Sequence, residues 1–349
     1  MKEIKLTSLT SGGGCGCKIP ANILNNLLKN YNLLQPSKKL LVGKENSDDA
    51  AVYKFSESNI VVASTDFFTP IVDNPYDFGK ISATNALSDI YAMGSKPQFA
   101  LGILAAPFDI LSIKTIKKIM SGGSKMCLKS GAMIAGGHTI RSKELIYGLV
   151  TVGQINEKNI IKNSGARNGD KIIITKPLGI GILSAGIKKN HLTKIQYKKL
   201  ISVTTELNIC GYLLAKEKLI SSMTDITGFG LIGHLKEMCI SSKKSAIIKY
   251  NELPILNEAR FLLHKGIYTG GSKTNWESTK RYIKNLKSLS EKQKVIVSDP
   301  QTSGGLLIAV PSKNLNKVMD LLNKTNKFKS KIVGEFINNG KINIEFITN

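Results

Sequence analysis

Asp48-Asp49-Ala50-Ala51-Val52-Tyr53-Lys54-Phe55 runs through the turn Ser56-Glu57-Ser58 into Asn59-Ile60-Val61-Val62-Ala63-Ser64-Thr65-Asp66. Both apolar runs are short and rich in Val, Ile and Ala, which predicts strands over Ala50–Phe55 and Asn59–Thr65. An acidic pair stands just before the first strand and Asp66 ends the second. Downstream, Asp77 is read as the cap of a helix over Phe78–Met93 that stops at Gly94. Asn85 and Asp89 fall one turn apart on a face shared with Ile81, Ser88 and Met93. A strand over Phe99–Leu104, a helix over Ile110–Lys129, and strands over Ala132–Ala135 and Leu145–Ile155 follow. Such alternation predicts a mixed α/β domain.

With 349 residues, of which 42% are apolar, the chain exceeds the size at which one core stops growing, so two domains are expected. The text turns polar between Asn156 and Asp170, which places the boundary there. The expected units are a glycine-rich segment with a helix (1–48), an N-terminal α/β domain (49–157) and a C-terminal α/β domain (169–349). In the helix of the first unit, Pro20 takes the first turn and Ile23, Leu24, Leu27, Leu28 and Tyr31 form the apolar face. The third unit reads as strand Lys171–Thr175, helices near Ile180–Lys188 and Ile195–Glu217, and strands over Ile332–Ile337 and Ile342–Ile347.

A formal charge of +24 raises the question of a polyanionic partner. Arginine occurs only at Arg141, Arg167, Arg260 and Arg281, lysine is spread over nearly every element, and aromatic residues are only 6%. Nucleic-acid recognition draws on Arg forks and aromatic platforms, so nucleic acid is not expected as the main ligand. A basic RNA-binding protein is the non-enzymatic alternative. Cysteines at 15, 17, 127, 210 and 239 form no regular framework, which disfavours a secreted disulfide scaffold and suits a reducing cytoplasm. No apolar run is long enough for a membrane span, and the four scattered histidines do not complete a zinc site with Cys15-Gly16-Cys17.

Gly12-Gly13-Gly14-Cys15-Gly16-Cys17-Lys18 places two thiols and an amine on a backbone of glycines, which reads as a mobile reactive loop or as an N-terminal tail. Lys18 would stabilise a thiolate. Aspartates are scarce but sit beside strands at 48, 49, 66, 89, 225 and 299. Converging carboxylates would need a cation, and oxygen ligands beside phosphates suit Mg²⁺. The competing account is that each aspartate caps its own turn. Gly136-Gly137-His138-Thr139 and Ser303-Gly304-Gly305 read as glycine turns able to cradle phosphate. Gly228-Phe229-Gly230-Leu231-Ile232-Gly233 matches a dinucleotide fingerprint, but Met223–Ile226 is too short and polar for its leading strand. His138 and His234 read as structural.

In order along the chain, Gly14-Cys15-Gly16-Cys17-Lys18-Ile19, Asp48-Asp49-Ala50-Ala51-Val52-Tyr53, Ser64-Thr65-Asp66-Phe67-Phe68, Pro70-Ile71-Val72-Asp73, Ala83–Gly94, Ala135–Thr139, Thr175-Lys176-Pro177-Leu178-Gly179, Met223–Gly230 and Asp299–Gly305 resemble the motifs of the selenophosphate synthetase (selenide, water dikinase) family. The resemblance implies that ATP, water and selenide yield selenophosphate, AMP and orthophosphate. It implies Cys15 and Lys18 as catalytic residues and Asp49, Asp89 and Asp225 as Mg²⁺ ligands. Lys18, Asn46, Ser47, Asp48, Asp66, Asp89, Gly137, His138 and Thr139 are the implied nucleotide contacts. The implied fold is that of the aminoimidazole-ribonucleotide synthetase superfamily, a homodimer whose N-terminal domains share a β-barrel. Another ATP-dependent member, such as thiamine-monophosphate kinase, is the alternative within that superfamily.

Overall fold

Two six-stranded sheets, one from each half of the chain, meet along a single long helix. The computed structural model describes residues 4–10, 12–14, 19, 23, 27, 37–43 and 47–348. The first sheet contains β1 (Leu40–Val42), β2 (Ala51–Ser56), β3 (Asn59–Phe68), β4 (Lys96–Ala106), β5 (Met133–Arg141) and β6 (Ile146–Gln154), in the order β1-β2-β3-β6-β4-β5. Only β4 and β5 are parallel, because the crossover helix α2 (Ile113–Ser130) joins them. Helix α1 (Pro75–Ala92) lies against the same face, with Phe78, Ile81, Leu87 and Ile90 fully buried.

α1 and α2 approach closely because both carry glycine at the crossing. A Cβ on Gly79 would stand 1.8 Å from the Ile119 carbonyl oxygen, and one on Gly122 would stand 2.1 Å from that of Tyr76. The cap of α1 is Asn74, whose side chain accepts from the Asp77 N–H, and Pro75 opens the helix. Asp77, the expected cap, instead sits in the first turn, paired with Lys80 and accepting from the Tyr197 hydroxyl.

The second sheet contains β7 (Lys171–Ile174), β8 (Ser222–Asp225), β9 (Ser245–Lys249), β10 (Leu306–Val310), β11 (Lys331–Ile337) and β12 (Ile344–Ile347), in the order β12-β9-β11-β7-β10-β8. Its helices are α3 (Ile180–Lys188), α4 (Lys194–Thr204), α5 (Ile209–Lys216), α6 (Gly230–Ser242), α7 (Asn257–His264), α8 (Gly270–Thr279), α9 (Glu291–Val297) and α10 (Leu315–Thr325). The single helix expected over Ile195–Glu217 is therefore two. The hydroxyls of Thr204 and Thr205 turn back onto the Leu200 and Ile201 carbonyls at the break.

β8 leads into α6, but Met223–Ile226, read as too short and polar for a dinucleotide fold's leading strand, contributes to a strand of only four residues. All four of its residues are buried. It pairs antiparallel with β10 at the sheet edge, whereas a dinucleotide fold needs a parallel βαβ unit. A continuous apolar core joins Phe78, Leu87 and Tyr91 of α1 to Ile182 and Leu183 of α3, Leu200 of α4 and Leu262 of α7. A Cβ on Gly211 of α5 would stand 2.5 Å from the Tyr91 carbonyl oxygen, so α1 is wedged between the two sheets. No helix among the described residues is long and apolar enough to cross a membrane.

Candidate active site

On α1, Asn85 and Asp89 are four residues apart, an advance of about 6 Å. On β3, Ser64 and Asp66 are two residues apart and face the helix, an advance of about 6.6 Å. The two spacings match, and the pairs join in antiparallel sense. The Ser64 hydroxyl donates to Asp89 Oδ2, and Asn85 Nδ2 donates to Asp66 Oδ2. Asn85 is fully buried and Asp66 is nearly so. The strand does not end at Asp66 but continues through Phe68, which fixes the carboxylate within the ladder.

The other half of the site comes from the second sheet. Asp49 stands two residues before β2, and its Oδ1 accepts from Thr224 Oγ1 of β8 at 2.8 Å. Its Oδ2 is buried with no hydrogen-bond partner among the described residues. Burial holds the Asp49 carboxyl well above the ordinary carboxylate range, and the charges of Asp225, Asp89 and Asp48 push it further, against the Thr224 hydrogen bond. Asp49, Asp89 and Asp225 are thus brought within electrostatic reach. Among the described residues, no group of three or more His, Cys, Asp or Glu converges at metal-binding distance. Asp48 Oδ1 accepts from the Asn163 N–H at 2.7 Å, while Asn163 Nδ2 donates to the Ser47 carbonyl.

Asp299 does not join this cluster. It accepts from the Gly181 and Ile182 N–H groups at the start of α3 and from Gln301 Nε2, and burial raises its pKa to about 7. Gly136–Thr139 is not a turn but the middle of β5, where a Cβ on Gly137 would stand 2.1 Å from the Gly102 carbonyl oxygen. Asp66, Leu149, Gly102 and Gly137 form one cross-strand row. Three inter-strand steps put Gly137 on the order of 14 Å from Asp66. Within one chain, Gly137, His138 and Thr139 therefore stand apart from the carboxylates, on an exposed edge strand.

Cys15, Lys18 and Asn46 lie outside the described residues. Of the arm before them, the Gly14 N–H donates to the Thr69 carbonyl with φ at +61°, and a Cβ there would strike Thr302 and Ile71. A cavity of about 490 Å³ opens beside the arm, lined by Gly12, Gly13, Ile71, Lys188 and Thr302 and by none of the carboxylates. Ile23 and Leu27 of the expected apolar face are exposed. The three described cysteines are buried, and burial raises Cys127 and Cys210 to about 11 and Cys239 to about 12. They are poor nucleophiles.

The motifs assign no site role to Ser64, Asn85, Asn163, Asn208 or Thr224, and Ser303, expected in a phosphate-cradling turn, instead donates its N–H to Asn85. The available signal was the polar run Asn85, Ser88 and Asp89 on a helix otherwise buried on all sides. Ser303 N–H donates to Asn85 Oδ1 at 2.6 Å, and Asn208 Nδ2 donates to Ser88 Oγ at 2.8 Å. Both bonds cross between the two halves of the chain.

Comparison with known proteins identifies the family of the chain. The family profile "AIR synthase related protein, N-terminal domain" matches residues 47–155, and "AIR synthase related protein, C-terminal domain" matches 167–347. The chain is 46% identical to the selenide, water dikinase of Pseudomonas straminea, covering 95% of this chain and 93% of the relative. It is also 46% identical to that of Dechloromonas aromatica, covering 92% of each. A solved hydrogenase maturation protein HypE in complex with ATP shares the fold with a TM-score of 0.63 at 15% identity, over 98% of this chain and 95% of that one.

Proposed function

The chain belongs to the selenide, water dikinase family of AIR synthase related proteins, and we propose that it makes selenophosphate from selenide, ATP and water, releasing AMP and orthophosphate. The observation that carries the site assignment is Asp49 Oδ2, buried and unpartnered among the described residues, on a carboxylate that lies within electrostatic reach of Asp225 and Asp89. An acceptor atom left in this state is costly unless a cation takes it. The donors are all hard carboxylate oxygens, which suits Mg²⁺. Mg²⁺ bound here would neutralise charge on the transferring phosphoryl groups.

In this reading, Asp49, Asp89 and Asp225 hold the cation, and Ser64 and Thr224 orient the first two by hydrogen bonds. Asp66, fixed by Asn85, together with Ser47, Asp48 and Asn46, contacts the nucleotide. Phosphoryl transfer asks mainly for positioning and for positive charge on the phosphates, and Lys18 supplies that charge from the arm. Cys15 serves the selenium chemistry. The buried thiols at 127, 210 and 239 are too basic for that role, which leaves the Cys15–Cys17 segment to carry it. The root of the arm docks on Thr69 and beside Thr302, near residues of both halves of the chain.

The chain acts as a homodimer in this reading. The face of the first sheet opposite α1 and α2 carries Phe55, Phe67, Phe99, Leu101, Met133 and Ile140, each at least 37% exposed. An uncovered apolar surface of this kind marks an interaction site, and burying it against a second copy fits the expected shared barrel. A second copy could then supply the Gly137–Thr139 contact that one chain holds far from Asp66.

Anaerobic phosphorus NMR of the protein with ATP, Mg²⁺ and selenide tests the activity. AMP, orthophosphate and a selenium-bound phosphate should appear in equal amounts. ADP as the sole product would refute the assignment in favour of a simple kinase.

A further inference from the structure

Lys176 lies in a motif that the proposed chemistry does not use. It is 3% exposed, and its ammonium donates to the Glu206 carbonyl at 2.6 Å and to the Ser303 carbonyl at 3.1 Å. Burial lowers its pKa to about 8, so placing an amine here is costly and the contacts must return that cost. Its target is unusual. Ser303 has φ at +55°, a left-handed conformation that a residue other than glycine holds only when its surroundings impose it.

The turn beyond Ser303 is fixed from several directions. Asn208 Nδ2 donates to the Gly304 carbonyl at 3.0 Å, and the Ile226 N–H donates to the Gly305 carbonyl at 2.8 Å. A Cβ on Gly304 would stand 2.0 Å from the Ile226 carbonyl oxygen, and one on Gly305 would stand 2.4 Å from the Lys176 nitrogen. The turn delivers one group to the first half of the chain, the Ser303 N–H, which donates to Asn85 Oδ1. Since an amide bonded at its oxygen cannot flip, this contact keeps Asn85 Nδ2 pointing at Asp66.

We infer that Lys176 is a positioning residue for the nucleotide site: by holding the Glu206 and Ser303 carbonyls it fixes the left-handed turn whose N–H orients Asn85 and, through Asn85, the Asp66 carboxylate. The inference rests on the ATP reading of the site above. A buried lysine of the second domain thereby sets the geometry of a carboxylate in the first.

A double-mutant cycle on nucleotide affinity tests it, with Mg²⁺ and the non-hydrolysable analogue AMPPCP titrated calorimetrically into full-length protein. Lys176→Met and Asn85→Ala should each weaken binding about 10-fold, and the double variant should also lose about 10-fold, because both break one chain of contacts. A loss of about 100-fold in the double variant, or wild-type affinity in folded K176M, would overturn the positioning role. If K176M gives no cooperative melt, Lys176→Gln, whose shorter side chain gives up the ammonium contacts but keeps a polar end, takes its place in the same cycle under the same two criteria. Failure of the wild-type protein to bind AMPPCP would instead refute the ATP reading, so the two failures are distinct.

Discussion

Asp49→Asn should make the protein more stable and inactive at once. A neighbouring charge moves a carboxyl strongly only from within about 4–6 Å, where two unit charges at an effective dielectric near 20 repel by about 3–4 kcal/mol. Burial is the largest cause acting on the Asp49 carboxyl, and the charges of Asp225 and then Asp89 add to it. A carboxyl raised in this way relieves part of the repulsion by binding a proton more readily, so the neutral amide should recover at most about one pair's repulsion. The Thr224 hydrogen bond survives, because the amide oxygen accepts it as the carboxylate did. In EDTA, urea unfolding of D49N should show a higher midpoint at unchanged slope. With Mg²⁺ and ATP at 100 times Kd, the wild type should gain about 2.7 kcal/mol from ligand linkage while D49N gains almost none. A lower midpoint for D49N in EDTA, or equal stabilisation of both proteins by Mg²⁺ and ATP, would refute the reading of this cluster as a cation site.

Mg²⁺ binding to the wild type should release protons, since Asp49 holds one beyond the ordinary carboxylate range; calorimetry in buffers of different ionisation enthalpy measures the number. Asp299, at a folded pKa of about 7 against 3.8, binds its proton more tightly in the folded state, so stability from this group is present at low pH and is lost as pH rises through about 4 to 7. Asp299→Asn should remove that slope, so that wild type minus variant falls by up to about 4 kcal/mol over the window in urea melts; parallel curves would count against it. Cys15→Ser should abolish selenide-dependent turnover while leaving nucleotide affinity within a few-fold, and Lys18→Ala should lower turnover, both read by AMP release. Leu101→Glu, on the uncovered face of the first sheet, should convert a dimer to a monomer in light scattering.

Much of the fold was written locally. Val, Ile and Ala runs bounded by turns gave β2, β3, β4 and β6 to within a few residues, and Ile180–Lys188 was read with its observed ends. The misreadings have physical causes. Gly136 and Gly137 look like a turn because glycine permits one, yet here glycine is required so that β5 can close on Gly102. Met223–Ile226 looks too polar for a dinucleotide leading strand because the polar side chains of β8 are spent on the linker and on the first half of the chain: Ser222 donates to the Asn163 carbonyl and Thr224 to Asp49. Periodicity reports burial against apolar neighbours, and it is silent about polar residues buried against polar ones.

The same silence explains which half of the site was legible. Asp48, Asp49, Asp66, Asp89, Asp225 and Asp299 stand out because carboxylates are scarce in a chain with 49 basic and 25 acidic residues, and only the family resemblance narrows them to Asp49, Asp89 and Asp225 as implied ligands. Their supports, Ser64, Asn85, Thr224, Asn208 and Ser303, are common residue types whose role depends on contacts across long sequence separations. Asn85 meets Ser303 218 positions away, and Thr224 meets Asp49 175 positions away. This division has a mechanical consequence. A cation ligated by Asp89 from α1, Asp49 before β2 and Asp225 at the end of β8 would bridge both sheets, so its binding should tighten the very contacts that the like charges now oppose. Without a cation, the like charges of Asp225 and Asp89 on Asp49 oppose closure of this junction. Hydrogen exchange should therefore slow most on adding Mg²⁺ at the Thr224, Asp225 and Ser303 amides, and less on β11 and β12, which lie away from the junction. Uniform protection across the second sheet would mean that the cation does not act through this seam.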